Sequence, residues 1–297
     1  MSDFTCSAIS REAGEQLFGT APRIDVWFLL EYTGRWEPEA LDSALPEPVK
    51  RAISAQLEAA APARFGLIRR GSEPAPVPGL AFYVALIREG RPALYAFRLE
   101  TMTDLLDLDL TAICAEDPAY ATARTTDPLV LVCTHGRRDR CCGRAGLPVY
   151  ERLCQAAGMP IWQVSHVGGH RFAANVITLP HGIYHGRVTP ENAVAAIDAY
   201  RRGELHLETY RGRACYAKPV QAAEFYLRSE TGIVDLDGLA LQTAVQTGPD
   251  RWEIRFAETR GGQGHTVAIA AETVPGLAYL NCTDSEPSAV TQYHRVL

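Results

Sequence analysis

Apolar and polar positions along this chain fall into short runs that recur in one order. Residues 23–32 (RIDVWFLLEY) form a mostly apolar run of strand length. VKRAISAQLEAAA (49–61) spaces its apolar residues as a helix does, and RFGLIR (64–69) is again strand-like. LAFYVALI (80–87) and ALYAFRL (93–99) flank the turn-rich REGRP, which predicts a hairpin. TDLLDLDLTAICAE (103–116) closes the unit as a helix, so the order is β-α-β-β-β-α.

That order returns downstream. PLVLVC (128–133) is a strand, and LPVYERLCQAAG (147–158) is a helix with Pro near its start and Gly at its end. PIWQVSHV (160–167) is a strand, and FAANVITL (172–179) and IYHGRV (183–188) form a hairpin around PHG. TPENAVAAIDAYRRG (189–203) is the clearest helix, with Thr189 as N-cap and Pro190 in the first turn. The halves share pattern, not residues, which predicts an α/β fold of two similar layers. The polar stretch DPAYATARTTD (117–127) is the expected linker. KPVQAAEFYLRSETG (218–232) reads as a helix, and RWEIRFAE (251–258) and HTVAIAAETV (265–274) as a hairpin around TRGGQG. That glycine run lacks the G-K-[ST] and helix of a phosphate loop. AYLNCT (278–283) is the expected last strand. The expected organisation is an N-terminal α/β domain over 1–122, a second over 123–230, and a small β appendage over 231–297. The first layer would cover the second as a pseudo-dimer within one chain.

Composition changes this picture little, but charge and cysteine change it more. A hydrophobic share of 47% and a charged share of 22% are ordinary for a globular chain. No apolar run approaches the ~20 residues of a membrane span, and MSDFTCSAISREAGEQLFG lacks the pattern of a secretory leader. A cytoplasmic protein with reduced thiols is expected, without membrane attachment. The net charge of −6 argues against nucleic acid as a partner. Residues 1–128 hold 19 acidic and 12 basic side chains, 129–225 hold 7 and 12, and 226–297 hold 9 and 5. The middle segment alone is basic.

That segment also carries the candidate chemistry. CTHGRRDRCCG (133–143) follows a strand, and HVGGH (166–170) surrounds a glycine turn. Cys133, Cys142, His166 and His170 would supply the four ligands of an iron–sulfur site with two thiolates and two imidazoles. Gly168 and Gly169 would let the chain turn tightly enough for both rings to face one point. Structural zinc also accepts two Cys and two His, although its cysteines usually stand two to four apart; spacing alone leaves both metals open. A thiol-redox enzyme would want C-x-x-C, which is absent. Arg137, Arg138, Arg140, Arg144 and Arg171 are either a solvated face or a field that draws an acidic partner and raises a cluster's potential. Asp139 would pair with one of them and hold the loop. The other His and Cys residues read as ordinary surface or core positions.

These motifs, together with YRGRACYAKPVQAAEFYLRSETG (210–232), resemble the thioredoxin-like ferredoxin family, Apd1-type, often labelled sucrase/ferredoxin-like. The resemblance covers roughly residues 125–230. It implies a thioredoxin-like fold for this unit and a [2Fe–2S] cluster on Cys133, Cys142, His166 and His170. Aligning R-C-G favours Cys142 as the ligand over its neighbour Cys141, which is left as a spare small residue. The implied role is one-electron transfer to a redox partner protein, with proton coupling if an imidazole reaches water. A redox- or iron-sensing adaptor and a structural zinc domain are the alternatives. No carboxylate pair supports a sugar-cleaving activity, so a carrier is expected rather than a catalyst with its own substrate.

Overall fold

In the computed structural model, which describes residues 5–60, 62–71, 78–156 and 158–296, both repeats share one sheet. Residues 61 and 157, at the ends of two expected helices, and residues 1–4 of the N-terminal stretch lie outside the described residues. The first unit runs α1 (Cys6–Glu12), β1 (Val26–Glu31), α2 (Glu47–Ala59), β2 (Ala63–Arg69), β3 (Leu80–Leu86), β4 (Ala93–Leu99), α3 (Leu110–Cys114) and the short β5 (Arg124–Thr125). The second runs β6 (Leu129–Cys133), α4 (Arg140–Ala156), β7 (Ile161–Val164), β8 (Val176–Leu179), β9 (Ile183–His185), α5 (Pro190–Arg201), β10 (Tyr210–Arg213) and α6 (Lys218–Thr231). Strands β11 (Leu239–Gly248), β12 (Arg251–Glu258), β13 (Gly264–Ala278) and β14 (Ser288–Val296) form a separate antiparallel meander.

Each unit has the same pairing. β1 is parallel to β2 and antiparallel to β3, which pairs antiparallel with β4. β6 repeats this with β7, β8 and β9. This is the strand arrangement of a thioredoxin-like layer, present twice. The units do not stack. β2 and β7 pair antiparallel, Ile68 opposite Val164 and Arg69 opposite Gln163, and join them edge to edge into ten strands. The pairing satisfies the inner edge of each unit, which would otherwise present unpaired backbone.

Side-chain alternation assigns the two faces. Phe28 and Leu30 of β1 pack with Val49 and Ile53 of α2, and Val130 and Val132 of β6 pack with Val149 and Leu153 of α4 and Ile197 of α5. The opposite face is continuous across both units. Trp27, Leu29, Leu131, Trp162 and Ile177 share one core with Ala222, Ala223 and Leu227 of α6 and with Ile254, Phe256, Val267 and Ile269 of the meander. The C-terminal sheet therefore packs into the main core.

Local capping explains most departures from the expected elements. The stretch 103–116 divides into a 3-10 turn (Met102–Asp107) and α3, because Asp104 caps Thr101 and Asp109 caps Ala112. Residues 117–127 are built into the fold as a 3-10 turn and β5, which pairs with β4. α4 starts seven residues before Leu147, at Arg140: the Asp139 carboxylate accepts the Cys141 N–H there, and Pro148 lies inside the helix. Residues 279–283 are not a strand, since β13 ends at Ala278 and Asn281 turns onto Asp284. α1, β10, β11 and β14 were not apparent from periodicity.

A buried ion cluster ties α6 to β10. Glu224 is fully buried, 3.0 Å from both Arg213 and Arg228, and accepts from the Tyr210 hydroxyl. Burial pushes its carboxyl pKa up, but the two guanidiniums outweigh this and hold it below the usual value. Such a group stabilises above the unfolded pKa of about 4.3, and the benefit is lost as pH falls through the folded value. Removing one partner of a buried pair costs about 3–5 kcal/mol. Glu224→Ala is expected to lower urea-unfolding stability by that order at neutral pH, with the deficit narrowing below about pH 4; a deficit under about 1 kcal/mol at neutral pH would contradict the arrangement.

Candidate functional site

Cys133 ends β6, and the loop 134–139 carries the chain to the first turn of α4, where Cys142 sits. The return is close because Gly146 lies against the Cys133 carbonyl: a Cβ at 146 would stand 2.0 Å from that oxygen. His166 follows the end of β7 and His170 begins a 3-10 turn (His170–Phe172). Ligand atoms of Cys133, Cys142 and His166 lie within 4.8 Å of one another. His166 Nδ1 is 3.8 Å from Cys142 Sγ. His170 falls outside that group, with its ring 5.0 Å from that of His166, but its buried Nδ1 has no hydrogen-bond partner. Two thiols, one imidazole and an orphaned imidazole nitrogen fit the donor set of a mixed Cys/His iron–sulfur centre.

The first thiol pair shares charge. A hydrogen bond from Cys142, helped by His166, pulls the Cys133 pKa well below the usual thiol value, while the same bond and burial push Cys142 well above it. The shift favours the thiolate form of Cys133, the form that a metal binds. Burial lowers the pKa of His170, and Asp139 opposes this only in part, so the imidazole is kept neutral and fit to ligate.

Cys141 points elsewhere. Its Sγ lies 3.5 Å from that of Cys6 and 3.1 Å from that of Cys282. Hydrogen bonds from Cys6 and then Ser7 hold the Cys141 pKa down to about 6. Asp139 joins the two regions: it accepts N–H bonds from Cys141 (2.8 Å) and Cys282 (2.9 Å), and its Oδ2 is 3.8 Å from His170 Nε2. Burial raises its carboxyl pKa, but those N–H groups outweigh it and the net shift is downward.

The arginines divide by role. Arg137 pairs with Glu37 and Arg138 with Glu39, both on the loop after β1, and Arg171 pairs with Glu15. Arg140 and Arg144 lie on the exposed side of α4. Two positioning residues escaped the sequence reading. His135 Nδ1 accepts the backbone N–H of His166 (3.1 Å), with its ring edge-on to Trp36. Arg211, 1% exposed, donates to the carbonyls of Gly168 and Thr20 and to Asn175 Oδ1, while Asn175 Nδ2 donates to the Gly169 carbonyl. His135 stands inside the Cys133 motif and Arg211 inside the 210–232 stretch, which were the only available signals.

The fold and site define an α/β protein with a buried Cys/His group able to take a metal. A model of the sucrase/ferredoxin-like family matches residues 17–212, more than half of the chain, and the chain belongs to that family. Among curated relatives, a protein of Meyerozyma guilliermondii named altered inheritance of mitochondria protein 32 is 37% identical over 99 residues, covering 29% of this chain and 35% of that one. Proteins of the same name from Debaryomyces hansenii (35% over 95 residues; 28% and 35% covered) and Saccharomyces cerevisiae (31% over 98 residues; 28% and 31% covered) are also similar. The match thus spans about a third of those relatives' length. Among solved structures, a variant of the thioredoxin-like [2Fe–2S] ferredoxin from Aquifex aeolicus aligns with 28% of this chain and 95% of its own, at 18% identity and a TM-score of 0.25.

Gly169 has φ +70, and a Cβ there would meet Arg211 Nη2 at 2.4 Å. Gly90 has φ +69 with nothing within 4 Å. Gly90→Ala is expected to cost about 1–2 kcal/mol of unfolding free energy from backbone strain alone. Gly169→Ala is expected to cost more and to reduce metal retention as well; equal losses for the two variants would remove Arg211 from the account.

Proposed function

We propose that Cys133, Cys142, His166 and His170 hold a [2Fe–2S] cluster and that the protein is a one-electron carrier. The observation that carries this is the convergence of Cys133, Cys142 and His166 within 4.8 Å beside the partnerless Nδ1 of His170. A cluster with this ligation supplies a one-electron couple in the range of about −150 to +300 mV. The redox partner is a protein acidic at the contact, drawn by Arg140 and Arg144 on the exposed side of α4. His166 also lines a groove of about 260 Å³ with Pro38, Glu39, Leu41, Leu57 and Arg64. All eight cysteines are free, which suits a reducing compartment such as the cytoplasm. Among the described residues no helix is long and apolar enough to cross a membrane.

The chain's own residues set the proton behaviour. His166 is half-buried, so its ring nitrogen remote from Cys142 can pass a proton to water, whereas His170 is 6% exposed and faces Asp139. Losing that proton favours the oxidised state. The reduction potential is expected to fall with rising pH at the alkaline end, approaching about 59 mV per unit for one electron and one proton; a potential flat from about pH 6 to about pH 10 would reject the coupling. Anaerobically purified protein is expected to carry iron and acid-labile sulfide with a visible spectrum that Cys142→Ala and His170→Ala abolish and Cys141→Ala preserves. Zinc at the first group, with neither iron nor sulfide after reconstitution, would sink the cluster reading. Oxidation that alters partner affinity without turnover would make the protein a sensor instead.

A further inference from the structure

Three other thiols meet where the chain has no local reason to bring them together. Cys6 is the first residue of α1, Cys141 lies in the first turn of α4, and Cys282 sits on the loop after β13. Their sulfurs form a triangle with sides of 3.5, 3.1 and 3.5 Å, and none is in a disulfide. A carboxylate oxygen of Asp139 lies within 4.8 Å of all three. We infer that Cys6, Cys141, Cys282 and Asp139 form a second metal site, separate from the Cys133, Cys142, His166 and His170 group, for a thiophilic divalent ion of the zinc class.

The geometry is that of a contracted site. Sulfurs bound tetrahedrally to zinc at about 2.3 Å stand about 3.7 Å apart, so the two 3.5 Å sides have to open by about 0.2 Å and the 3.1 Å side by about 0.6 Å. The carboxylate is already aimed. Its two oxygens accept the N–H groups of Cys141 and Cys282, the residues that supply two of the sulfurs, and each oxygen keeps a lone pair for the ion. The sulfurs have donors of their own: the Ser7 hydroxyl reaches Cys141 Sγ at 3.3 Å and the Cys6 N–H reaches Cys282 Sγ at 3.5 Å. Three thiolates and one carboxylate suit zinc and reject magnesium and calcium, which take all-oxygen shells. A neighbouring cavity of about 710 Å³, lined by Ser7, Arg11, Cys141, Arg144 and Ala173, is the route in. The ion would fasten the N-terminal helix and the C-terminal meander to the helix that carries Cys142. It closes both ends of the chain over the redox site without taking part in electron transfer.

The test separates this site from the first. A full-length reduced chain carrying Cys133→Ala and Cys142→Ala, folded by circular dichroism, is titrated with Co2+. It is expected to bind stoichiometrically, with thiolate-to-cobalt charge-transfer bands and the intense visible bands of a tetrahedral ion. Cys6→Ser with Cys282→Ser in the otherwise native chain is expected to lose this signal and its zinc while keeping the first group's metal. No binding by the Cys133→Ala, Cys142→Ala chain, or binding indifferent to Cys6 and Cys282, overturns the proposal. The unmodified chain gives a second reading that needs no variant. With Zn2+ bound, Cys282 (half-buried) is expected to resist iodoacetamide and to become reactive after chelation, while Cys154 reacts equally in both states. Equal alkylation of Cys282 with and without zinc, or a disulfide between Cys141 and Cys282 in place of a bound ion, also overturns it.

Discussion

The antiparallel junction of β2 with β7 is the constraint on which the rest of the molecule depends. Four residues define its register, Ile68 with Val164 and Arg69 with Gln163, and Ser165 extends it by exchanging hydrogen bonds with the Leu67 backbone. A slip of one residue would turn every inward side chain of one unit outward. The shared face, where Trp27 and Leu29 meet Leu131 and Trp162, fits only this register. Because that core also receives α6 and the meander, the C-terminal third of the chain is positioned by the same junction.

The junction also gives the first unit a part in the site around His166. Arg64 of β2 donates to the His166 carbonyl at 2.8 Å, and Trp36 meets the His135 ring. Glu37 and Glu39 hold the loop arginines. Those pairs are half-exposed and individually worth at most about 1 kcal/mol, so their effect is to order the loop between Cys133 and Cys142. With Arg171 held by Glu15, at least three of the five arginines are paired within the molecule. The local basic excess therefore acts partly within the molecule.

What could be read from the chain was what local chemistry decides. α5 was legible because Thr189 and Pro190 act within one turn, and α6 because Gly232 takes the left-handed position at its end. The β-α-β-β-β-α repeat was legible from apolar periodicity. Three things were hidden because each needs partners far apart in sequence: the edge-to-edge junction, the Arg211 clamp on the Gly168–Gly169 turn, and the thiol triangle. Residue spacing brought Cys133, Cys142 and the two histidines into one proposal. It could not reveal Cys6 and Cys282, which are 276 residues apart and meet only after both ends of the chain fold back. Asp139, expected to pair with an arginine, uses its carboxylate on the N–H groups of Cys141 and Cys282.

The vicinal pair at the head of α4 draws these threads together. Successive residues at a helix start point about 100° apart, so Cys142 faces Cys133 and His166 while Cys141 faces Cys6 and Cys282. A single turn therefore presents one thiol to each group. The Asp139 carboxylate stands between them, within 3.8 Å of His170 on one side and bonded to the Cys141 and Cys282 backbone on the other. A change of charge in either group is felt at that carboxylate, buried at 6% exposure and weakly screened. The spare cysteine of the sequence reading is thus the residue that links Cys6 and Cys282 to the helix turn carrying Cys142.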